Sequence, residues 1–311
     1  SQFPVSTRVG FYRRRSHDVL EVAECLLHPV DFDRVRLAFS EALLKTGERG
    51  YDERHHTGNV RHLIIRRAEP DGKLLVTVVT RTPHLSPKIW EALAGIEGVS
   101  GVVQSINPVR TNRILGTRTR LLSGQEHLFQ TVLDKRFRVS AHSFFQVNIS
   151  QAEELCRKVL KFVNPEGSET VLDLYCGVGM LSLILAPFVK RVIGIDLDEV
   201  AIMDAQENRR QHGAENAQFL CRDVDSSWPE LKPDVVILDP PRKGSSPETI
   251  KRIVELAPSR IVYVSCNPVT LGRDLGLLEQ MNYTTREVEP VDMFPQTFHV
   301  ETVALVMPVW A

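Results

Sequence analysis

Thr170-Val-Leu-Asp-Leu-Tyr-Cys-Gly-Val-Gly179 decides the fold: a short apolar run, a glycine turn, and then a helix through Leu181, Leu183 and Leu185. This is how a strand hands over to a helix in a parallel sheet. The same alternation continues downstream. Strands are expected at Arg191 to Ile195, Ala217 to Cys221, Asp234 to Leu238 and Arg260 to Val264. Helices are expected over Val200 to Gln211, after a Ser246 cap with Pro247, and after Asn267 with Pro268. Upstream, Ser150-x-x-Glu153 reads as a capping box, followed by Leu155, Val159, Leu160 and Val163 at helical spacing. Five strands, most followed by a helix, predict an α/β, doubly wound parallel sheet with right-handed crossovers. A final strand, Thr302 to Pro308, is expected to run antiparallel.

The first part of the chain reads as an α+β domain. Strands are expected at Arg61 to Arg67, Leu74 to Thr80 and Gly101 to Ile106, and helices at Phe32 to Lys45 and Pro87 to Leu93. Phe137 to Asn148 leads into the sheet, so the boundary is placed near residue 140, giving domains 1–140 and 141–311. Net charge is only −1, yet residues 1–150 carry 22 Lys and Arg against 15 Asp and Glu, and the remainder 16 against 24. A basic half beside an acidic half suits a polyanionic partner.

The 311 residues are 42% apolar and 25% charged, which excludes disordered, collagenous and disulfide-scaffold chains. No apolar run approaches a membrane span, and Ser1 to Gly10 lack the apolar core of a secretory signal. A cytoplasmic monomer with no membrane partner is expected. Five cysteines without a C-x-x-C pair suit a reducing compartment and exclude a zinc ribbon.

Ligands of open α/β sheets bind beyond the carboxyl ends of the strands, and the singular residues gather there. Gly177 and Gly179 let the backbone turn tightly and approach a ligand. Asp196, about 20 residues on, is placed for the hydroxyls of a ribose. Ser182 stands where a dinucleotide fold would have its third glycine, so a nucleoside without a pyrophosphate is favoured. S-adenosylmethionine fits, with the turn facing its methionine part and Asp223 its adenine amine. Asp239-Pro-Pro-Arg242 resembles the target-holding motif of amino-directed methyltransferases, but Arg242 replaces the aromatic residue that would stack on a base. That leaves room for a carbon target. Cys266, before an Asn-Pro helix start, is expected to have its thiol pKa lowered by helix N-terminal amides. An antiparallel last strand would bring Glu301 and His299 to it. Cys156 and Cys221 are expected to be packing residues, and Cys176 is open.

Ser143-Phe-Phe-Gln146-Val-Asn148, Asp173-Leu-Tyr-Cys-Gly-Val-Gly179, Asp239-Pro-Pro-Arg242, Val264-Ser-Cys266-Asn-Pro268 and Asp292-Met-Phe-Pro-Gln-Thr-Phe-His-Val-Glu301 together resemble the RNA uracil-5-methyltransferase family. The resemblance implies a Rossmann-like methyltransferase sheet. It implies S-adenosylmethionine contacts at Gln146, Tyr175, Asp196, Asp223 and Asp239, a nucleophile at Cys266 and a base at Glu301. Gln146, Asp239, Arg242 and His299 would face the uracil. Met180 departs from the polar residue that the family often has there. The implied chemistry explains the residue types. A thiolate adds to uracil C6 and makes C5 nucleophilic, and a carboxylate later removes the C5 proton. The target base must leave its stack, and Arg13 to Arg15, Arg66, Arg67, Arg118, Arg120, Arg136 and Arg138 could hold phosphates.

Phe11-Tyr-Arg-Arg-Arg15 and Val19 to Cys25 look like the region of family members that hold a four-iron cluster, with Cys25 as the last cysteine ligand. The other three would lie upstream, so a 4Fe-4S cluster is expected only if that segment is present. This region favours 23S ribosomal RNA over transfer RNA as substrate. A small-molecule methyltransferase would leave the thiol and carboxylate pair unexplained, and a non-catalytic RNA-binding protein would leave the sheet-edge motifs unexplained.

Overall fold

The computed structural model describes residues 7–13, 16, 18–22, 25–111, 113–226 and 228–310. Arg14, Arg15, Ala23 and Glu24 lie outside the described residues. The chain divides into two compact units, Ser1–Leu128 and Phe129–Ala311.

In the first unit a short hairpin, β1 (Phe11–Tyr12) and β2 (Val19–Leu20), precedes α1 (Val30–Thr46), β3 (Val60–Arg67), β4 (Leu74–Thr80), α2 (Pro87–Ala94), β5 (Val99–Ile106) and β6 (Arg118–Gly124). The sheet order is β3-β4-β5-β6, with only the β4–β5 pair parallel, because α2 provides its crossover. Val35, Phe39 and Leu43 of α1 and Ile89 and Leu93 of α2 bury one face of this sheet through Val76, Val78 and Val102. The predicted α+β pattern is observed. β6 was not anticipated: it is an edge strand whose Arg118 and Arg120 are exposed, so no buried alternation marks it.

The second unit takes in β7 (His127–Val132), which opens at the boundary, and continues through β8 (Lys135–Ser140), α3 (Ile149–Val163), β9 (Thr170–Leu174), α4 (Met180–Leu185), β10 (Arg191–Asp196), α5 (Glu199–Gln211), β11 (Ala217–Cys221), β12 (Val235–Leu238), α6 (Pro247–Glu255), β13 (Arg260–Ser265), α7 (Pro268–Gln280), β14 (Tyr283–Val291) and β15 (Glu301–Pro308). The unit boundary falls ahead of residue 140, because β8 pairs with β7 and packs on α5. The cap of α3 is Asn148, which accepts from the Gln151 amide, rather than Ser150. Glu153 accepts from the Leu133 amide, so the expected capping box does not form.

The seven-stranded sheet has the order β11-β10-β9-β12-β13-β15-β14, parallel except for β15, which runs antiparallel between β13 and β14. Alternate residues of each apolar strand feed opposite cores. Val171, Val192, Val235 and Val262 meet α3, α4 and α5, whereas Leu172, Ile193, Val236 and Ile261 meet α6 and α7. Burial on both faces is why these strands read as continuous apolar runs. Among the described residues no helix is long and apolar enough to cross a membrane.

Candidate active site

β9 ends in a turn in which Tyr175, Gly177 and Gly179 all have positive φ, at 65°, 53° and 80°. The amides of Tyr175 and Cys176 donate to the Ile195 carbonyl of β10 at 2.8 and 3.1 Å, which pins the turn to its neighbour. The two glycines serve different ends. A Cβ on Gly179 would lie 2.6 Å from the Phe219 ring, so this position is closed by packing. A Cβ on Gly177 would meet nothing within 4 Å, so that residue borders open space where a ligand can approach the backbone.

Asp196 at the end of β10 accepts from Gly177 N and from Asp198 N, each at 2.9 Å, one on each carboxylate oxygen. Its carboxylate is thereby fixed at the mouth of the turn, and burial raises its pKa. Beneath it, Asp173 is completely buried. Its Oδ2 accepts from Ser182 Oγ at 2.6 Å, its Oδ1 has no partner among the described residues, and burial pushes it up to about 7. Ser182, noted in the sequence for replacing a glycine, thus holds a carboxylate that sequence reasoning did not single out. Gln146 is only 7% exposed, and its Oε1 has no donor among the described residues. A buried acceptor left open this way is costly unless a ligand supplies the donor. Tyr175 packs half-buried on the α6–α7 side of the sheet, and Asp223 lies exposed after β11, accepting from Asp225 N at 3.0 Å.

Asp239 leaves β12 beside the turn, its amide donating to Leu174 O at 3.3 Å. Burial pushes it up to about 8, helped by the charges of Glu301, Asp173 and Asp196. Four carboxylates thus crowd one sheet edge, which disposes the site toward a cation.

Ser265 and Thr302 form the last pair of the β13–β15 ladder. Cys266 follows the one, and Glu301, which opens β15 and pairs with Val291 of β14, precedes the other, so thiol and carboxylate lie one residue beyond the same pair. Asn267 caps α7 through Val269 N and donates from Nδ2 to Arg242 O at 3.0 Å, tying the Asp239-Pro-Pro-Arg242 loop to the segment that follows β13. Glu301 is 4% exposed and pushed up to about 7 by burial, with the Arg242 charge opposing. The Cys266 thiol is raised, contrary to the expected lowering: burial dominates, Glu301 and Asp239 add to it, and Arg242 opposes. The start of α7 does not outweigh burial beside two carboxylates. His299 packs its ring on Phe298 and Phe294, at 4.2 and 6.0 Å between centroids.

Cys156 is buried and pushed up to about 12, as a packing residue would be. Cys176 is buried in the turn, and burial raises it well above the ordinary thiol range. Cys221 departs from expectation: it ends β11 exposed, its thiol donating to Leu197 O at 3.6 Å. Cys25 is half-buried beside a cavity of 390 Å³ that Phe11, His28 and Tyr51 help to line. Among the described residues no group of three His, Cys, Asp or Glu side chains is placed to hold a metal. Cys25 alone does not fit a four-iron cluster.

A family model described as a methyltransferase domain matches residues 165–296. An uncharacterised RNA methyltransferase of Halalkalibacterium halodurans is 42% identical, over 98% of this chain and 69% of its own length. Another, of Enterococcus faecalis, is 40% identical over 96% and 67%. The chain thus spans about two thirds of the length of these relatives. Among solved structures, the Pyrococcus abyssi tRNA (uracil-54, C5)-methyltransferase in complex with S-adenosyl-L-homocysteine superposes with a TM-score of 0.81 and 28% identity, covering 95% of this chain and 71% of that one.

Proposed function

We propose a specific reaction for this chain, which belongs to the RNA methyltransferase family: transfer of a methyl group from S-adenosylmethionine to C5 of a uridine in RNA, through a covalent bond between Cys266 and C6. The observation that carries this reading is that Cys266 and Glu301 each lie one residue beyond the Ser265–Thr302 pair, at the same sheet edge as the glycine turn. A nitrogen target would need neither group.

The residues present fit the cofactor. Gln146 Oε1 is an unpaired buried acceptor, Gly177 borders open space, and Asp196 is fixed for a ribose, with Tyr175, Asp223 and Asp239 around them. When bound, S-adenosylmethionine supplies an electrophilic methyl group on a sulfonium. The chain supplies the rest. The Cys266 thiolate adds to C6, and the displaced electron pair makes C5 enolate-like and able to take the methyl group. Glu301 then accepts the C5 proton, the electrons of that bond restore the ring, and Cys266 leaves. A carboxylate held near 7 is matched to taking a proton at neutral pH. Arg242 favours the charged forms of both Cys266 and Glu301 and, with Gln146, Asp239 and His299, would face the uracil.

The substrate is RNA with the target base unstacked, and exposed arginines such as Arg118 and Arg120 contribute phosphate contacts in a cytoplasmic monomer. The Cys25 region favours 23S ribosomal RNA. A transfer RNA target is the second reading, favoured by the likeness to the Pyrococcus abyssi enzyme. Mass mapping of 5-methyluridine in ribosomal and transfer RNA, with and without the gene, decides between them. Loss of the mark from neither overturns the uridine reading.

A further inference from the structure

Two completely buried polar residues of α5, Asp204 and Asn208, lie one helical turn apart and belong to no step of the reaction. Asn208 Oδ1 accepts from Arg138 N at 2.6 Å. Its Nδ2 donates to Arg138 O and to Val178 O, each at 3.1 Å. Val178 lies between Gly177 and Gly179, and Arg138 lies on β8, the strand that leads into the Gln146 segment. One amide therefore clasps both. Asp204 extends the clasp along that segment. Its carboxylate accepts from Ser140 N at 2.7 Å, Ser140 Oγ at 2.8 Å and Ser143 Oγ at 2.6 Å, and pairs with Arg138. The same helix is capped by Asp198, whose amide donates to Asp196, and its Ala205 supports Gly179.

We propose that Asn208 is a positioning residue, with Asp204 as its second anchor: it locks the glycine turn to the strand that presents Gln146, so that the two walls of the cofactor site are set at one distance. This rests on the reading of that site as the cofactor site. Backbone carbonyls at Val178 and Arg138 need a donor, and a side-chain amide satisfies both while accepting from the Arg138 amide. A helix side chain is better suited to this than a loop contact, because its own backbone is fixed by the helix and by packing against β8 and β11.

The test uses Asn208→Asp, which keeps size and the acceptor for Arg138 N but has no donor for either carbonyl. Binding of S-adenosylhomocysteine is measured by calorimetry, and thermal unfolding shows whether the variant is folded. Affinity should fall about tenfold, or roughly 1.4 kcal/mol. Asn208→Ser, which keeps one hydroxyl donor on a shorter arm, should fall between Asn208→Asp and wild type. A double-mutant cycle with Gln146→Ala separates positioning from general weakening. If Asn208 sets Gln146 in place, Gln146→Ala costs much less in the Asn208→Asp background than in wild type, whereas a merely structural role leaves the two effects additive. Unchanged affinity in a folded Asn208→Asp protein, or additivity in the cycle, overturns the proposal. Wild-type protein that does not bind S-adenosylhomocysteine overturns the cofactor reading and this proposal with it.

Discussion

Glu301 opposes the ionisation of Cys266, although the proposed reaction needs both residues. Burial raises the thiol first, and the carboxylate charge at the end of β15 raises it further. Removing that charge should therefore release the thiol. At about pH 7.5, iodoacetamide should alkylate Cys266 faster in Glu301→Gln than in wild type, by roughly threefold for each half unit by which the thiol pKa falls. In wild type, kcat/KM should climb with pH through about 7, as Glu301 loses its proton, and keep climbing as Cys266 ionises. A profile falling between neutral and mildly alkaline pH would contradict both assignments.

The two residues should stop the reaction at different points. Cys266→Ala should form no adduct and no 5-methyluridine, since nothing adds to C6. Glu301→Gln should add and accept the methyl group but keep the C5 proton, leaving protein bound to methylated RNA. This species is read as a slow, detergent-resistant band that requires both S-adenosylmethionine and Cys266. Normal turnover by Glu301→Gln would sink the mechanism.

Asp196→Ala should weaken S-adenosylmethionine binding by roughly 1.5 to 3 kcal/mol, the cost of losing hydrogen bonds to a charged group. The loss would be compounded because Gly177 N gives up its own acceptor. Calorimetry measures it, and unchanged affinity would remove Asp196 from the site.

The glycines of the turn should separate by mechanism. Gly177→Ala adds a methyl group to open space at φ 53° and should cost about 1 kcal/mol of stability, through backbone strain. Gly179→Ala adds overlap with Phe219 at 2.6 Å and should cost roughly 2 kcal/mol or more, by denaturant unfolding. Equal costs would mean that Phe219 yields freely.

The parallel strands were legible because both of their faces are buried, as in Val171 and Leu172, so that apolar residues run unbroken. β14 was not. Its Glu287 and Glu289 answer Lys161 and Lys158 of α3, contacts distant in sequence that leave a strand looking like a charged loop. The candidate residues at the sheet edge could be named because Asp196, Asp239 and Cys266 stand at or just beyond the ends of apolar runs. The direction of the Cys266 shift could not, because it depends on Glu301 and Asp239, which only the folded sheet brings to the thiol. Asp204 and Asn208 escaped for a similar reason: on a helix they look like a solvated face, and their partners lie on β8 and in the glycine turn.

β15 enters the sheet between β13 and β14 although it follows both in the chain, so Glu301 is made after every other residue proposed for the site. A nascent chain that has emerged as far as Cys266 has the glycine turn and the thiol, but β13 still has an open edge. Arrival of β15 closes that edge and delivers Glu301 in the same event. A polypeptide cut short before Glu301 would keep the glycine turn and Cys266 but leave β13 with an unpaired edge.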